Sequence, residues 1–126
     1  MLRTIWGAIL GPIVWLALAT ALNLVLRYTW HDYAMVEKAM TFTVPMMAAR
    51  LTVSGIGSLV GGVAAAAVGR NRVASPLLAG LILLAIFAPF HLTIWPKFPI
   101  WYHLTFLISL PVLSLLGGRL ARSQSA

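Results

Sequence analysis

The stretch SGIGSLVGGVAAAAVG, residues 54–69, has small side chains at the four-residue spacing of one helix face. Glycine, alanine and serine at this spacing let two helix backbones approach closely, which is how helices associate inside a lipid bilayer. We therefore interpret the stretch as the packing face of a membrane-spanning helix. The positions expected to make its closest contacts are Ser54, Gly57, Ser58, Gly61, Gly62 and Ala65.

This small-residue face has two alternative uses. It packs either against other helices of the same chain or, in part, against another membrane subunit. Shorter versions of the same spacing occur at Gly7-xxx-Gly11 and Ser114-xxx-Gly118. Small-xxx-small packing is thus predicted at several helix crossings, within one chain or in an oligomer.

The composition indicates a membrane protein, because 61% of the 126 residues are hydrophobic and only 9% are charged. A soluble domain carries about 25% charged residues. A membrane-spanning helix needs about 20 apolar residues, and four segments qualify, at about residues 5–26, 44–68, 76–94 and 101–116. The sequence predicts an all-α integral membrane protein whose single domain, residues 1–126, is a four-transmembrane-helix bundle with a short cytoplasmic tail at 117–126. Two tandem helical hairpins are a second interpretation of the same four spans.

The positions of the basic residues predict the orientation of the spans. Lysine and arginine are enriched on the cytoplasmic side of membrane proteins. One side of the four spans carries Arg3, Arg70, Arg72, Arg119 and Arg122, and the other carries Arg27, Lys38 and Lys97. We expect a multi-pass protein of the bacterial inner (plasma) membrane with both termini cytoplasmic and the first span retained as an anchor. The net charge of +7 does not indicate nucleic-acid binding, because the basic residues occur singly.

Arg50 is the clearest ionisable residue within a span. It lies 20 residues before Arg70, which is about 30 Å along a helix. Because Arg70 is expected at the cytoplasmic surface, Arg50 is expected near the outer surface. It is expected to snorkel to that surface, to pair with Asp32 or Glu37, or to contact an anion or a lipid headgroup. Residues 36–47 would then extend the second span. Asn23, near the outer end of the first span, is expected to hydrogen-bond to another helix.

The three histidines of the chain are predicted to lie near the same membrane surface. His91 ends the third span, His103 begins the fourth, and His31 follows the first. Imidazole suits interfacial anchoring, because it has an apolar body and a polar tip. The alternatives are a zinc or copper site, or a haem held between two histidines. The sequence requires no cofactor.

Catalysis is not expected. The chain has no cysteine, and its only acids, Asp32 and Glu37, lie outside the spans. We expect a small non-enzymatic subunit, accessory or scaffold protein. A small oligomeric transporter or channel with Arg50 at its outer end is the first alternative, and a metal- or haem-binding protein is the second. The expected partners are membrane lipids and either another membrane subunit or a second copy of the chain.

Overall fold

The structure, a computed structural model, describes residues 2–121. Its α-helices are α1 Leu2–Thr29, α2 His31–Glu37, α3 Val44–Gly69, α4 Ala74–Thr93 and α5 Ile100–Leu120. A 3-10 turn, Trp95–Lys97, joins α4 to α5, and no β-strand occurs within residues 2–121. All helices except α2 are long and apolar enough to cross a membrane. This confirms the prediction of an all-helical chain with four apolar helices.

The second long helix, α3, begins at Val44, where the predicted second span also starts. The predicted extension over residues 36–47 is not a continuous helix, because α2 ends at Glu37, Met40 has a left-handed backbone with φ 58°, and α3 begins only at Val44. The backbone N–H of Met46 donates to the Thr43 hydroxyl (3.5 Å), so Thr43 caps α3. Pro45 fits the first turn, where no backbone N–H is needed. Helix α2 is a separate short helix that the sequence pattern does not predict.

The predicted tail begins too early, because α5 continues to Leu120. Gly117 and Gly118 are buried packing positions within the helix. A Cβ atom on Gly117 would lie 2.1 Å from the carbonyl oxygen of Leu59, and one on Gly118 would lie 2.2 Å from Pro76 Cγ. These glycines therefore permit close helix contact instead of ending the helix. Arg122 and the rest of the predicted tail, residues 122–126, lie outside the described residues, as does Met1.

The long helices alternate in direction and pack around α3. Helix α1 packs against α3 and α4, and α5 packs against α3 and α4 from the other side. A Cβ on Gly62 would lie only 2.0 Å from the Ser114 carbonyl oxygen, and one on Gly61 would lie 2.8 Å from the carbonyl oxygen of Gly11. The backbone of α3 is therefore in direct contact with that of α1 at one crossing and with that of α5 at the other.

All six predicted packing residues of α3 are buried, and the Trp15 side chain contacts Gly57 and Ser58. The buried positions are Ser54, Gly57, Ser58, Gly61, Gly62 and Ala65. Their neighbours belong to α1 and α5 of the same chain. The small-residue face is thus used inside the chain. That part of it also meets another subunit stays a prediction.

The two ends of the helices differ in what fills the space between them. We call one end the glycine half, defined by Gly7, Gly11, Gly61, Gly62, Gly80 and Gly117. The opposite end is the aromatic half, which holds α2, the 3-10 turn and the aromatic side chains Trp15, Tyr33, Phe42, Phe87, Phe98, Tyr102 and Phe106. Helix α1 begins and α5 ends in the glycine half.

Asn71 closes the glycine half from the turn between α3 and α4. Its Nδ2 atom lies 3.1 Å from Thr4 Oγ1 and 3.2 Å from the Gly69 carbonyl oxygen, and its Oδ1 accepts from the backbone N–H of Ser75 at 2.7 Å. The Ser75 hydroxyl donates to the Thr4 carbonyl at 3.0 Å. One asparagine thus links the start of α1 to the α3–α4 turn.

Candidate functional site

A cavity of about 470 Å³ lies in the aromatic half. Helices α1, α3, α4 and α5 all contribute to its walls, and α2 contributes Glu37. The walls are mainly apolar, whereas a few polar side chains lie among them. The principal apolar side chains are Trp15, Phe87, Phe90 and Phe106, and the principal polar ones are Asn23, Glu37, Arg50 and His91.

Trp15 and Ser54 line the cavity at the boundary with the glycine half. The Trp15 indole N–H lies 3.2 Å from the Ser54 carbonyl oxygen and 3.1 Å from Ser58 Oγ, so the ring is fixed against α3. The Trp15 ring also packs against Phe87, with ring centres 4.8 Å apart. The hydroxyl of Ser54 is buried and has no hydrogen-bond partner among the described residues.

Arg50 is the central charged group of the cavity. Its Nε donates to the Tyr102 hydroxyl at 3.1 Å, and its Nη1 donates to the Tyr33 hydroxyl at 3.0 Å. The guanidinium carbon lies 4.6 Å from the centre of the Phe42 ring, which is a cation–π contact. Arg50 is therefore held in place by three aromatic side chains, none of which carries a negative charge.

The predicted ion pair of Arg50 with Asp32 or Glu37 does not form. Glu37 instead pairs with Arg27, whose Nε lies 2.7 Å from Glu37 Oε1. This is the only ion pair among residues 2–121. Asn23 Nδ2 donates to the other carboxylate oxygen at 2.8 Å. Asp32 is exposed at the start of α2. Helix α2 turns Glu37 toward α1, where it bonds to Arg27 and Asn23 instead of Arg50.

The pKa values of two α2 side chains, Glu37 and Tyr33, differ from their ordinary values. The hydrogen bond from Arg27 holds the pKa of Glu37 below its ordinary value, so this carboxylate is charged at neutral pH. Burial raises the pKa of Tyr33, so its phenol stays protonated. The Tyr33 hydroxyl can then donate to Asn23 Oδ1, 2.5 Å away, while it accepts from Arg50. Asn23 therefore hydrogen-bonds to two residues of α2.

Two of the three histidines meet beside the cavity. His91 Nδ1 and His103 Nδ1 are 2.7 Å apart, and both side chains are buried. His103 Nε2 lies 3.1 Å from the Trp95 carbonyl oxygen, and its ring stacks on Trp95 with centres 4.3 Å apart. This geometry holds the end of α4 against the start of α5.

The predicted site of His31, His91 and His103 is not assembled. His31 is exposed at the start of α2, and no group of three potential metal ligands occurs within residues 2–121. A metal ion about 2.0–2.1 Å from each of two imidazole nitrogens would keep those nitrogens more than about 3 Å apart. The paired Nδ1 atoms of His91 and His103 are closer than that, so they hydrogen-bond to each other.

Sequence reasoning placed Arg50 and Asn23 near one end of the helices but missed the groups that bind them. Tyr33 and Tyr102 look like ordinary interfacial aromatics in the sequence. Both are almost fully buried, at 0% and 1% exposure. A buried tyrosine hydroxyl usually needs a hydrogen-bond partner, but nothing in its sequence position identifies Arg50 as that partner.

Comparison of the chain with protein-family models, with curated proteins and with solved structures found no match. Function is therefore inferred from the cavity and its side chains.

Proposed function

We propose that the protein is a non-catalytic membrane protein that binds one amphiphilic anion in the cavity of the aromatic half. The observation that carries the proposal is the uncompensated charge of Arg50 on the cavity wall. Arg50 is surrounded by neutral partners, while the nearby carboxylate of Glu37 is neutralised by Arg27. A positive charge inside a largely apolar site favours an anion as its partner.

Arg50 retains the capacity to bind such an anion. A guanidinium has five N–H groups, and Arg50 uses two of them on Tyr102 and Tyr33. The remaining three suit the paired oxygens of a carboxylate or phosphate group. Because the tyrosines and Phe42 fix the guanidinium in position, little side-chain entropy would be lost on binding.

The apolar walls suit the body of an amphiphile. Trp15, Phe87 and Phe106 pack against one another and form one side of the cavity. Leu16 of α1 and Phe90 of α4 also line it, and each is 45% exposed on the outside of the helices. The cavity therefore reaches the surface between α1 and α4, where a lipid-like molecule has access from the side.

Binding of an anion is better supported than two of the roles that the sequence suggested, an accessory subunit and a transporter. A role as an accessory subunit or scaffold stays a prediction, but the small-residue face that motivated it is occupied within the chain. A transporter would also bind its substrate beside Arg50 and Asn23. Passage would then require the glycine half to open, where backbones already touch at Gly62 and Ser114.

For the setting, we propose the bacterial inner membrane with both termini cytoplasmic. The distribution of basic residues supports this, because Arg3, Arg70, Arg72 and Arg119 belong to the glycine half and the turns beside it. In this orientation the cavity lies in the leaflet away from the cytoplasm.

Oleate tests the proposal, with methyl oleate as its uncharged counterpart. Native mass spectrometry of the full chain released from detergent micelles counts the bound molecules across a concentration series. We expect one oleate per chain, with methyl oleate at least about tenfold weaker. Replacing Arg50→Gln should weaken oleate binding by about tenfold or more, since a charge-assisted hydrogen bond contributes about 1.5–3 kcal/mol.

Arg119→Gln is the matched control, because it removes the same charge from an exposed position at the other end of the helices. It should leave oleate affinity unchanged. Equal affinity of the wild-type protein for oleate and methyl oleate would contradict the proposal, as would an Arg50→Gln variant that binds oleate normally.

A further inference from the structure

The hydrogen bonds of the histidine pair determine where its protons lie. The Trp95 carbonyl oxygen can only accept, so His103 Nε2, 3.1 Å away, must carry the hydrogen. In neutral His103 the Nδ1 atom is then an acceptor. His91 Nδ1, 2.7 Å from it, must therefore carry the hydrogen that joins the two rings. Neutral His91 consequently has an unprotonated Nε2.

This Nε2 is a free acceptor at the cavity. His91 lines the cavity and is only 3% exposed, yet its Nε2 has no hydrogen-bond partner among the described residues. Its ring is held between other aromatic side chains, 4.5 Å from Phe106 and 6.0 Å from Tyr102, measured between ring centres. An acceptor without a protein partner beside a cavity favours a ligand that donates a hydrogen bond to it.

His91 and Arg50 flank the same side chain. The Arg50 Nε donates to the Tyr102 hydroxyl, and the His91 ring lies against the Tyr102 ring. Both side chains also line the same cavity, so a headgroup inside it has access to the cation and to the acceptor. Arg50 supplies donors to an anion, whereas His91 accepts from a donor on the same ligand.

We infer that the bound amphiphile carries a hydroxyl group within a few bonds of its anionic group, as in a glycerophosphate headgroup. This inference rests on the proposed function and specifies its ligand class. An ammonium group would also donate to His91. A headgroup with both a phosphate and an ammonium has no net charge, however, so the site would keep the positive charge of Arg50. A hydroxyl donates without adding charge, so it suits both groups.

Three lipids with identical dioleoyl chains separate these chemistries. Phosphatidylglycerol has the phosphate and hydroxyls, phosphatidylpropanol has the same charge and a headgroup of similar size without hydroxyls, and phosphatidylethanolamine has the ammonium. Their affinities for the full chain are compared at pH 8, where an imidazole with an ordinary pKa of about 6.5 is neutral. We expect phosphatidylglycerol to bind about fivefold or more tightly than either of the others.

The His91→Phe variant tests the assigned acceptor. It should reduce the ratio between phosphatidylglycerol and phosphatidylpropanol to about one. The wild-type ratio is decisive by itself if the variant does not fold. Equal wild-type binding of these two lipids would overturn the inference, as would tighter binding of phosphatidylethanolamine or a ratio unchanged in His91→Phe.

Two further arms separate the hypotheses. If Arg50→Gln weakens both anionic lipids equally while they bind the wild type equally, the hydroxyl assignment fails and the proposed function stands. If Arg50→Gln weakens neither, the proposed function itself fails. Competition by free glycerol phosphate would identify a soluble ester as the source of the headgroup chemistry, and no competition at millimolar concentration would identify a lipid.

Discussion

The glycine half and the aromatic half are built from the same four long helices, but the backbones approach each other to different extents. In the glycine half, Gly62 of α3 lies directly against the Ser114 backbone of α5. In the aromatic half, rings such as Phe87 and Phe106 stand between the helices, and a cavity of about 470 Å³ remains. Side-chain size at each crossing thus sets the separation of the helices.

The polar contacts of the two halves also differ. In the glycine half, Asn71, Thr4 and Ser75 bond to one another and to nearby backbone. In the aromatic half, Arg50 retains three N–H groups and His91 retains an acceptor nitrogen. Polar groups that satisfy each other stabilise the fold, whereas unsatisfied groups at a cavity are available to a ligand.

Gly62→Ala should cause the largest loss of stability. Its Cβ would lie 2.0 Å from the Ser114 carbonyl oxygen, so α3 and α5 must separate. We expect the free energy of unfolding to fall by about 3 kcal/mol or more, the upper range for overpacking. Reversible unfolding in mixed micelles measures it.

Gly55→Ala is the control for that substitution, since its Cβ would meet only the flexible end of Leu113 at 3.3 Å. It should change stability by less than about 1 kcal/mol. If Gly62→Ala were tolerated as well as Gly55→Ala, the two halves would not differ in packing as described.

Asn71→Ala should have an intermediate effect. It removes the hydrogen bonds of the Asn71 side chain and leaves the Ser75 backbone N–H without its acceptor. We expect unfolding to become easier by about 1–3 kcal/mol. Asn71→Asp, which keeps the acceptor oxygen, should recover part of the loss, and an unchanged unfolding midpoint in Asn71→Ala would show that this contact does not hold the glycine half together.

The Arg27–Glu37 pair should have the smallest effect, because Arg27 is substantially exposed. Exposed ion pairs contribute little to stability, because water and salt screen the two charges. The folded pKa of Glu37 is lowered from its ordinary 4.5, so the contribution is complete above pH 4.5 and is lost as the pH falls below that value. The wild type should therefore lose slightly more stability than Glu37→Gln between pH 6 and pH 3. Identical pH dependence of the two unfolding curves would show that the ion pair does not contribute to stability.

The sequence predicted the glycine half better than the aromatic half. Helical spacing identifies a face such as Gly57 and Gly61, because positions four residues apart share one side of a helix. The same spacing predicts packing at Gly118, but the predicted span ends at residue 116 and assigns Gly117 and Gly118 to a tail, although they pack against α3 and α4.

The candidate site depends on contacts between distant parts of the chain, and no periodicity encodes them. Arg50 meets Tyr102 across 52 positions and Tyr33 across 17. Helix α2 redirects Glu37 to Arg27, which leaves the charge of Arg50 uncompensated. The sequence could place the charged residues near one surface, but the choice of partners required the three-dimensional arrangement.

Photocrosslinking tests the central claim, that the aromatic half holds a site for an amphiphilic anion, most directly. A fatty acid with a diazirine in its chain is irradiated with the full chain in detergent, and the labelled residues are identified by mass spectrometry. We expect labels on cavity residues such as Trp15, Phe87 and Phe90, suppressed by excess oleate and reduced in Arg50→Gln. Labels confined to exposed residues outside the cavity, such as Ile108 and Val112, and insensitive to oleate would contradict the account.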